Sequence, residues 1–355
     1  MHRRWICNDV WMDILPSFDH AQLGLKMALL SPRFDVLVDK HFDGKSELKI
    51  WRAIVICKDS VAAVPKLSVF IDANFKEFPL PDHSLPNKIR FKLLEIKYID
   101  HYVIKFLHDN QQIFDKGINL RLDVTSSLTT DVVQSIWDDF LRQIWPIFAP
   151  NIRRLQFYDA QHLDNLRFRI SPTILTDLHQ LNSIISYWLF PDAIADDDDG
   201  PNATSPAAGK ALSKWLHTPT KDGQPKRLRC LNYFNPTNAE WINNFKEKFL
   251  NATTSVSYKI LLAVNESKTP IEPFELVNEQ NKEKLTLIKA NETDWGNQWI
   301  MKRCKNGETT AALQWEDENL NDVNIHLDDV ECIGPLSLPE EEAGQSNEKG
   351  VSSDK

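Results

Sequence analysis

The residues with the clearest chemical potential in this chain are two histidines and a run of acids. His101 and His108 lie seven residues apart on a predicted helix, so both imidazoles would share one face as metal ligands. A metal site needs a third ligand, and no neighbour in sequence supplies one. Solvated or internally hydrogen-bonded histidines are therefore the favoured interpretation.

The acidic run covers residues 196–199 and consists of four consecutive aspartates. Calcium loops alternate ligands with spacers and end on a bidentate glutamate, and neither feature is present. The nearby Lys210 follows a glycine, but the first glycine of a phosphate loop and the Ser or Thr after the lysine are missing. Residues 191–210 are thus predicted to form an acidic surface loop.

No other catalytic pattern occurs. The sequence has no GxSxG, no GxGxxG after a strand, no HExxH and no CxxC pair. Cys7 lies in an apolar stripe, where a cysteine more often packs than reacts. The sequence predicts a protein that is not an enzyme, with no catalytic residue, no metal and no cofactor.

Composition limits the partners and the compartment. The chain has 355 residues, of which 42% are hydrophobic, as is typical of a globular protein. Its net charge of -9 disfavours nucleic acid as the main partner. No apolar run is long enough to cross a bilayer, so no membrane contact is expected, and the first residues do not resemble a secretory signal. Five widely spaced cysteines indicate reduced thiols, as in the cytoplasm or nucleus.

The first part of the chain, residues 5–45, predicts a small helical module. Pro16 ends the first helix, and Ser31 followed by Pro32 marks the start of the third. Apolar residues recur at helical spacing in three stripes. The stripes are Ile6, Val10, Ile14 and Phe18; Leu23, Met27 and Leu30; and Phe34, Leu37, Val38 and Phe42.

The middle part, residues 46–270, alternates between strand and helix patterns, which predicts parallel strands joined by helical crossovers. The strands are predicted at 48–56, 90–99, 118–124, 152–158, 183–189, 227–234 and 256–264. The helices are predicted at 101–114, 130–145, 172–181, 211–216 and 239–250.

The spacing of these units decides the architecture. Strand starts from residue 90 onward are separated by 28 to 44 residues, which is longer than the roughly 20–29 residues of a leucine-rich repeat. We therefore predict an α/β fold of irregular, leucine-rich-repeat-like βα units. A compact doubly wound α/β domain is the competing architecture.

The last part, residues 271–334, predicts a short C-terminal β extension. Residues 273–291 alternate around a polar turn, which predicts a hairpin, and 297–304 and 309–316 would add strands. Residues 335–355 are polar and acidic and are predicted to be disordered.

Residues 6–42 resemble an F-box, a short helical motif that covers about a tenth of the chain. Cys7 stands where that family has proline, and Pro16 falls at the end of the first helix. The short sequences SPTIL (171–175) and KWLHTP (214–219), with the overall layout, also resemble an expanded family of nematode F-box-like proteins. The positions that match the F-box pattern are Ile6, Asp9, Val10, Asp13, Ile14, Leu15, Phe18, Leu23, Ala28, Leu29, Ser31, Arg33, Phe34, Leu37 and Val38.

The resemblance implies a substrate-recognition subunit of a cullin-type (SCF) ubiquitin ligase. The module would bind a Skp-family adaptor that joins a cullin scaffold, while the C-terminal region would bind a protein substrate. A non-catalytic interaction scaffold with no ubiquitin role is the alternative, and a hydrolase or transferase on an unfamiliar α/β fold is the third. The adaptor-binding residues implied are Ile6, Val10, Ile14, Leu15, Phe18, Leu23, Leu30 and Phe34.

Overall fold

The chain divides into two compact units in a computed structural model. Unit 1 comprises residues 1–116, 124–148 and 321–355, and unit 2 comprises residues 117–123 and 149–320. The structure describes residues 6–18, 22–43, 50–60, 62, 64–71, 74–82, 84–85, 90–124, 137–138, 140–187, 189–191, 206–234, 240–264, 271–293, 296–305, 320–327 and 332–334.

Unit 1 begins with the helical module. Helix α1 spans Asn8–Ile14 and ends in a 3-10 turn at Leu15–Ser17, as expected from Pro16. A π turn at Leu23–Met27 and a 3-10 turn at Ala28–Leu30 form the second segment. Helix α2 spans Pro32–Asp43, with proline at its first position.

Beyond the module, the described residues of unit 1 form five strands. They are β1 (Ile50–Lys58), β2 (Pro65–Ile71), β3 (Asn74–Pro79), β4 (Arg90–Ile96) and β13 (Asn321–Leu327). Their order is β13-β4-β1-β2-β3, and β4 pairs in parallel with both β1 and β13. Strand β2 pairs antiparallel with β1 and β3.

Buried side chains explain this pairing. In register across the five strands lie Ile325, Ile96, Ile56, Leu67 and Phe78, all buried. Such a row fixes the register, because a slip of one residue would turn every one of these side chains to the other face.

The remaining helical segments of unit 1 are short. Helix α3 spans His101–Asp109, a π turn spans Phe140–Ile144, and helix α4 spans Trp145–Phe148. Helix α3 begins where the Asp100 carboxylate accepts a hydrogen bond from the Val103 amide at 2.9 Å.

Eight strands lie among the described residues of unit 2. They are β5 (Ile118–Val124), β6 (Ile152–Phe157), β7 (Ser183–Ser186), β8 (Lys226–Phe234), β9 (Tyr258–Val264), β10 (Phe274–Asn278), β11 (Glu283–Thr293) and β12 (Gly296–Lys305). From β5 to β9 each strand pairs in parallel with the next one along the chain. Strands β12, β11 and β10 then add antiparallel to β9.

The helices of unit 2 connect the parallel strands. They are α5 (Ala160–Arg169), α6 (Ile174–Asp177), α7 (Pro206–Leu216) and α8 (Glu240–Leu250). Helix α5 packs against α7, so the two crossovers lie in one layer. The Asp159 carboxylate starts α5 by accepting a hydrogen bond from the His162 amide at 3.0 Å.

One apolar row joins all eight strands of unit 2. It is formed by one residue from each strand, in register from neighbour to neighbour. The row comprises Leu120, Leu155, Ile184, Leu228, Ile260, Met301, Leu287 and Phe274, of which the first seven are buried. Burial of this row against the helix layer holds the sheet together.

The protein is therefore mixed α/β, as predicted, and most predicted strands are confirmed. The structure adds strands β2, β3 and β13 and helix α5, which the sequence patterns did not indicate. Strands β10 to β12 continue the unit 2 sheet. Residues 206–210 are helical instead of part of a loop. The predictions for 130–136, 192–205, 309–316 and 335–355 fall outside the described residues.

Lys226, on strand β8, caps the C-terminal end of helix α7. Its ammonium donates hydrogen bonds to the carbonyls of Trp215 and Thr218 and lies 5.0 Å from the Trp215 ring centroid. Burial lowers the pKa of Lys226 from 10.5 to about 8.

This lowered pKa predicts a pH-dependent stability. Between about pH 8 and pH 10.5 the unfolded chain carries a proton on Lys226 that the folded chain lacks, so the free energy of unfolding rises with pH across this window. The contribution is at most about 1.4 kcal/mol per pH unit. Lys226→Met should remove it in urea unfolding measured across the window. Lys214→Met, an exposed control on α7, should keep it. Identical pH profiles for wild type and Lys226→Met would contradict this assignment.

Candidate functional site

The helical module of residues 6–43 has a hydrophobic core of its own. Half-buried side chains of Trp11, Met12, Phe18, Met27 and Phe34 surround this core. The core itself consists of Leu15, Leu23, Ala28, Leu37 and Val38.

Two of the residues implied to bind the adaptor therefore lie inside the module. Leu15 and Leu23 are fully buried and cannot contact a partner without unfolding the helices that carry them. The helical periodicity that identified them is common to core and docking residues, so the sequence did not separate the two roles. Their function in the module is to support its outer surface.

Other apolar side chains of the module point outward. The exposed fractions are 45% for Ile6, 45% for Val10, 64% for Leu30 and 66% for Val36. We call these four residues the outer face. Ile6, Val10 and Leu30 belong to the set implied by the F-box resemblance, and Val36 does not. Val36 lies on the side of α2 away from the buried Leu37 and Val38, so it does not belong to the apolar stripe of that helix.

The three remaining residues of that set are partly buried. Ile14 lies at the end of α1, one turn after Val10, and borders the outer face. Phe18 and Phe34 pack on the module core. The Phe34 ring meets Trp11 edge to face, with centroids 4.8 Å apart, and so fixes α1 against α2.

Arg33 links the start of the module to helix α2. Its Nη2 donates to the Ile6 carbonyl at 2.5 Å and to Asn8 Oδ1 at 2.7 Å, and its Nε donates to the same oxygen at 3.0 Å. The guanidinium thus ties the residues before α1 to the first turn of α2. Leu30 and Val36 lie three residues before and after Arg33 in the sequence.

The other candidates for chemistry do not converge. His108 lies on the surface with its Nδ1 3.9 Å from Asp109 Oδ1, and the His101 ring lies beside that of its neighbour Tyr102, tilted by 43° with centroids 3.8 Å apart. Cys7 is exposed, which corrects the prediction that it packs in the core. It precedes α1 at a position where the chain is still extended, so it does not follow the buried side of the helix. Within the described ranges, no cluster of three His, Cys, Asp or Glu residues is arranged to hold a metal ion.

The comparisons with known proteins are negative: no family model, curated protein or solved structure matches this chain. Among the described segments, no helix has the length and apolar character needed to span a membrane.

A leucine-to-alanine substitution should lower the free energy of unfolding far more in the core of the module than on its outer face. Leu23→Ala removes a fully buried side chain and should lower the free energy of unfolding of the module by about 2–5 kcal/mol. Leu30→Ala removes an exposed one and should change it by less than about 0.5 kcal/mol. Hydrogen exchange of the amides in α1 and α2 measures both changes. Equal destabilisation by the two variants would place Leu30 in the core and remove it from the outer face.

Proposed function

We propose that this protein is the substrate-recognition subunit of an SCF-type ubiquitin ligase, acting in the cytoplasm or nucleus. The helical module binds a Skp-family adaptor that is joined to a cullin scaffold, and the remaining chain binds a protein substrate. The observation that supports this proposal is the outer face, which presents apolar side chains on a module that already has a packed core.

The outer face suits a protein partner on energetic grounds. Exposed apolar side chains are favourable to bury, at about 1.5–3 kcal/mol for each one that a partner covers completely. The four side chains are 45–66% exposed, so covering all of them would contribute about 3–7 kcal/mol. That is enough for a specific complex only if flanking polar contacts add to it, since association itself costs several kcal/mol.

The outer face is also preorganised. The edge-to-face pair of Trp11 with Phe34 and the hydrogen bonds of Arg33 fix α1 on α2 before any partner arrives. A face that is rigid in the free protein loses little conformational entropy on binding. This rigidity favours binding through a preformed surface over folding that is coupled to binding.

The proposed role is one of proximity. A subunit that holds a substrate next to a ubiquitin-conjugating enzyme raises the effective concentration of the substrate's lysines without forming a bond itself. Affinity for adaptor and substrate then determines the activity, and no nucleophile or general base is required of this chain.

A scaffold without a ubiquitin role is the second candidate, and one contact favours it. The ammonium of Lys26 lies 5.3 Å from the ring centroid of Phe78, so the module also contacts strand β3 of unit 1. In that case the helices complete unit 1, and the outer face is a by-product of their small size. Titration with a Skp-family adaptor separates the two candidates.

Val10→Asp tests the docking face. Burying an unpaired carboxylate costs several kcal/mol, and the lost aliphatic contact adds about 1.5 kcal/mol. Adaptor affinity should therefore fall at least a hundredfold in a calorimetric titration, since about 1.4 kcal/mol corresponds to a factor of ten. Ile14→Asp should act in the same direction from the border of the face.

Val64→Asp is the matched control. Val64 is a valine of unit 1 with 49% exposure that lies outside the module, so the same substitution there should leave adaptor binding unchanged. Thermal unfolding of all variants in parallel detects any loss of structure. Unchanged adaptor affinity of a folded Val10→Asp variant would refute the docking face, and global unfolding by that variant would favour the scaffold.

A further inference from the structure

The loop between helix α7 and strand β8, residues 217–225, carries a sequence pattern that protein kinases recognise. It contains Thr218-Pro219-Thr220-Lys221, in which a proline directly follows a hydroxyl and a lysine lies three positions beyond that hydroxyl. Proline-directed kinases select this order. Proline suits the position after the acceptor because it has no N–H group that would be left without a hydrogen bond, and the lysine matches acidic groups of the kinase.

The lysine distinguishes Thr218 from the other hydroxyls that precede a proline. The sequence has five such pairs, and only Thr218 has a lysine or arginine three positions later. The other four hydroxyls belong to Ser31, Ser171, Ser205 and Thr269, which have Phe34, Ile174, Ala208 and Glu272 at that position.

Ser171, in the same unit, lies in a setting that opposes a phosphate. Its Oγ donates a hydrogen bond to Asp177 Oδ2 at 2.7 Å, and Thr173 Oγ1 donates to the same oxygen at 3.0 Å. A phosphate on Ser171 would lose this hydrogen bond and lie beside the carboxylate, so like-charge repulsion would disfavour it. Ser171 is therefore a matched control for Thr218.

The loop is accessible to a kinase. Thr218 is partly exposed, and five of the six residues that follow it are exposed. Among the described residues, the hydrogen bonds made by residues 219–224 stay within the loop, such as the one from the Thr220 hydroxyl to the Gln224 carbonyl at 2.7 Å. A kinase binds its acceptor segment in an extended form, and a loop held by its own hydrogen bonds opens at little cost to the rest of the structure.

The Thr218 hydroxyl lies near two lysine side chains that a phosphate can use. Its Oγ1 donates to the Lys214 carbonyl at 2.7 Å, one helical turn earlier, and Lys221 follows three residues later. Both lysines are exposed, and neither pairs with an acidic residue in the described part of the chain. The nearest acid in sequence, Asp222, accepts a hydrogen bond from the Gln224 amide at 3.1 Å.

The position of Thr218 at the C-terminal end of α7 works against a phosphate, and the lysines offset this. The negative end of the helix dipole repels an anion there. Lys226 keeps a positive charge at this end of the helix while it donates to the carbonyls of Trp215 and Thr218. The ammonium groups of Lys214 and Lys221 can bind the phosphate oxygens themselves, since a phosphate offers three strong acceptors.

We infer that Thr218 is a phosphorylation site for a proline-directed protein kinase. ATP supplies the γ-phosphoryl group: its bond to the bridging oxygen of ADP breaks, a P–O bond to Thr218 Oγ1 forms, and the hydroxyl proton passes to a base of the kinase. The inference rests on the proposed function only for the cytoplasmic or nuclear location, where ATP and such kinases are present.

The test incubates the full-length protein with a cyclin-dependent kinase, its cyclin and ATP, and locates phosphate by mass spectrometry. Thr218 should be modified nearly completely, and Ser171 to less than about a tenth of that extent. Thr218→Val, which keeps the shape of the side chain, should reduce incorporation to background, and Thr218→Ser should restore it. Lys221→Glu should lower the initial rate about tenfold, whereas Lys210→Glu, an exposed control on α7, should leave it within about a factor of two.

A synthetic peptide of residues 213–225, treated in the same way, separates the sequence pattern from its structural setting. Phosphorylation of the peptide but not of the folded protein would overturn the inference, because the loop would then be closed to the kinase. Absence of phosphate from both, or modification of Ser171 in preference to Thr218, would overturn it as well. None of these measurements involves the adaptor, so failure of this inference and failure of the proposed function are distinguishable.

Discussion

The in-register apolar row of unit 2 is the constraint on which the rest of that unit depends. Eight strands contribute one side chain each to a single line under the helix layer, from Leu120 on β5 to Phe274 on β10. Because strand side chains alternate with a period of two, burying this line fixes the register of every pair. The same register then dictates what lies on the opposite face. The alignment of Arg227 with Lys259 and Lys302 is thus a direct consequence of how Leu228, Ile260 and Met301 pack.

In the helical module, too, the burial of core side chains determines which residues lie on the surface. Too few residues are available to enclose all of its apolar side chains, so burying Leu15, Leu23 and Leu37 leaves others outside. Arg33 holds the segment before α1 against α2, which positions Ile6 at the start of the module. A partner that covers these exposed side chains would bury apolar surface that the module alone leaves in solvent.

The sequence predicted those elements whose pattern is local and strong. Strands β5, β6 and β8 fall within a residue or two of their predicted bounds, since their alternation is clear and the flanking loops are polar. Strand β13 was missed because its partner β4 lies more than 200 residues earlier in the chain and its own residues are mostly polar. Helix α5 was missed because it is polar over much of its length, and it is held by the Asp159 cap and by packing on α7.

The sequence also predicted the candidate site residues only in part. Periodicity identified Ile6 and Val10 as members of a helical stripe, but their exposure and the burial of Leu15 depend on how three helices pack. The alignment of Arg227 with Lys259 and Lys302 likewise has no counterpart in the linear sequence, because the three residues come from strands β8, β9 and β12. Only strand register brings them together.

Hydrogen exchange of the full-length protein, with and without a Skp-family adaptor, tests the central claim most directly. Docking through the outer face predicts that the adaptor slows exchange in peptides covering residues 6–14 and 30–36 and leaves the strands of unit 2 unchanged. Absence of protection in those two segments at saturating adaptor, or protection confined to other parts of the chain, would contradict adaptor docking by this module.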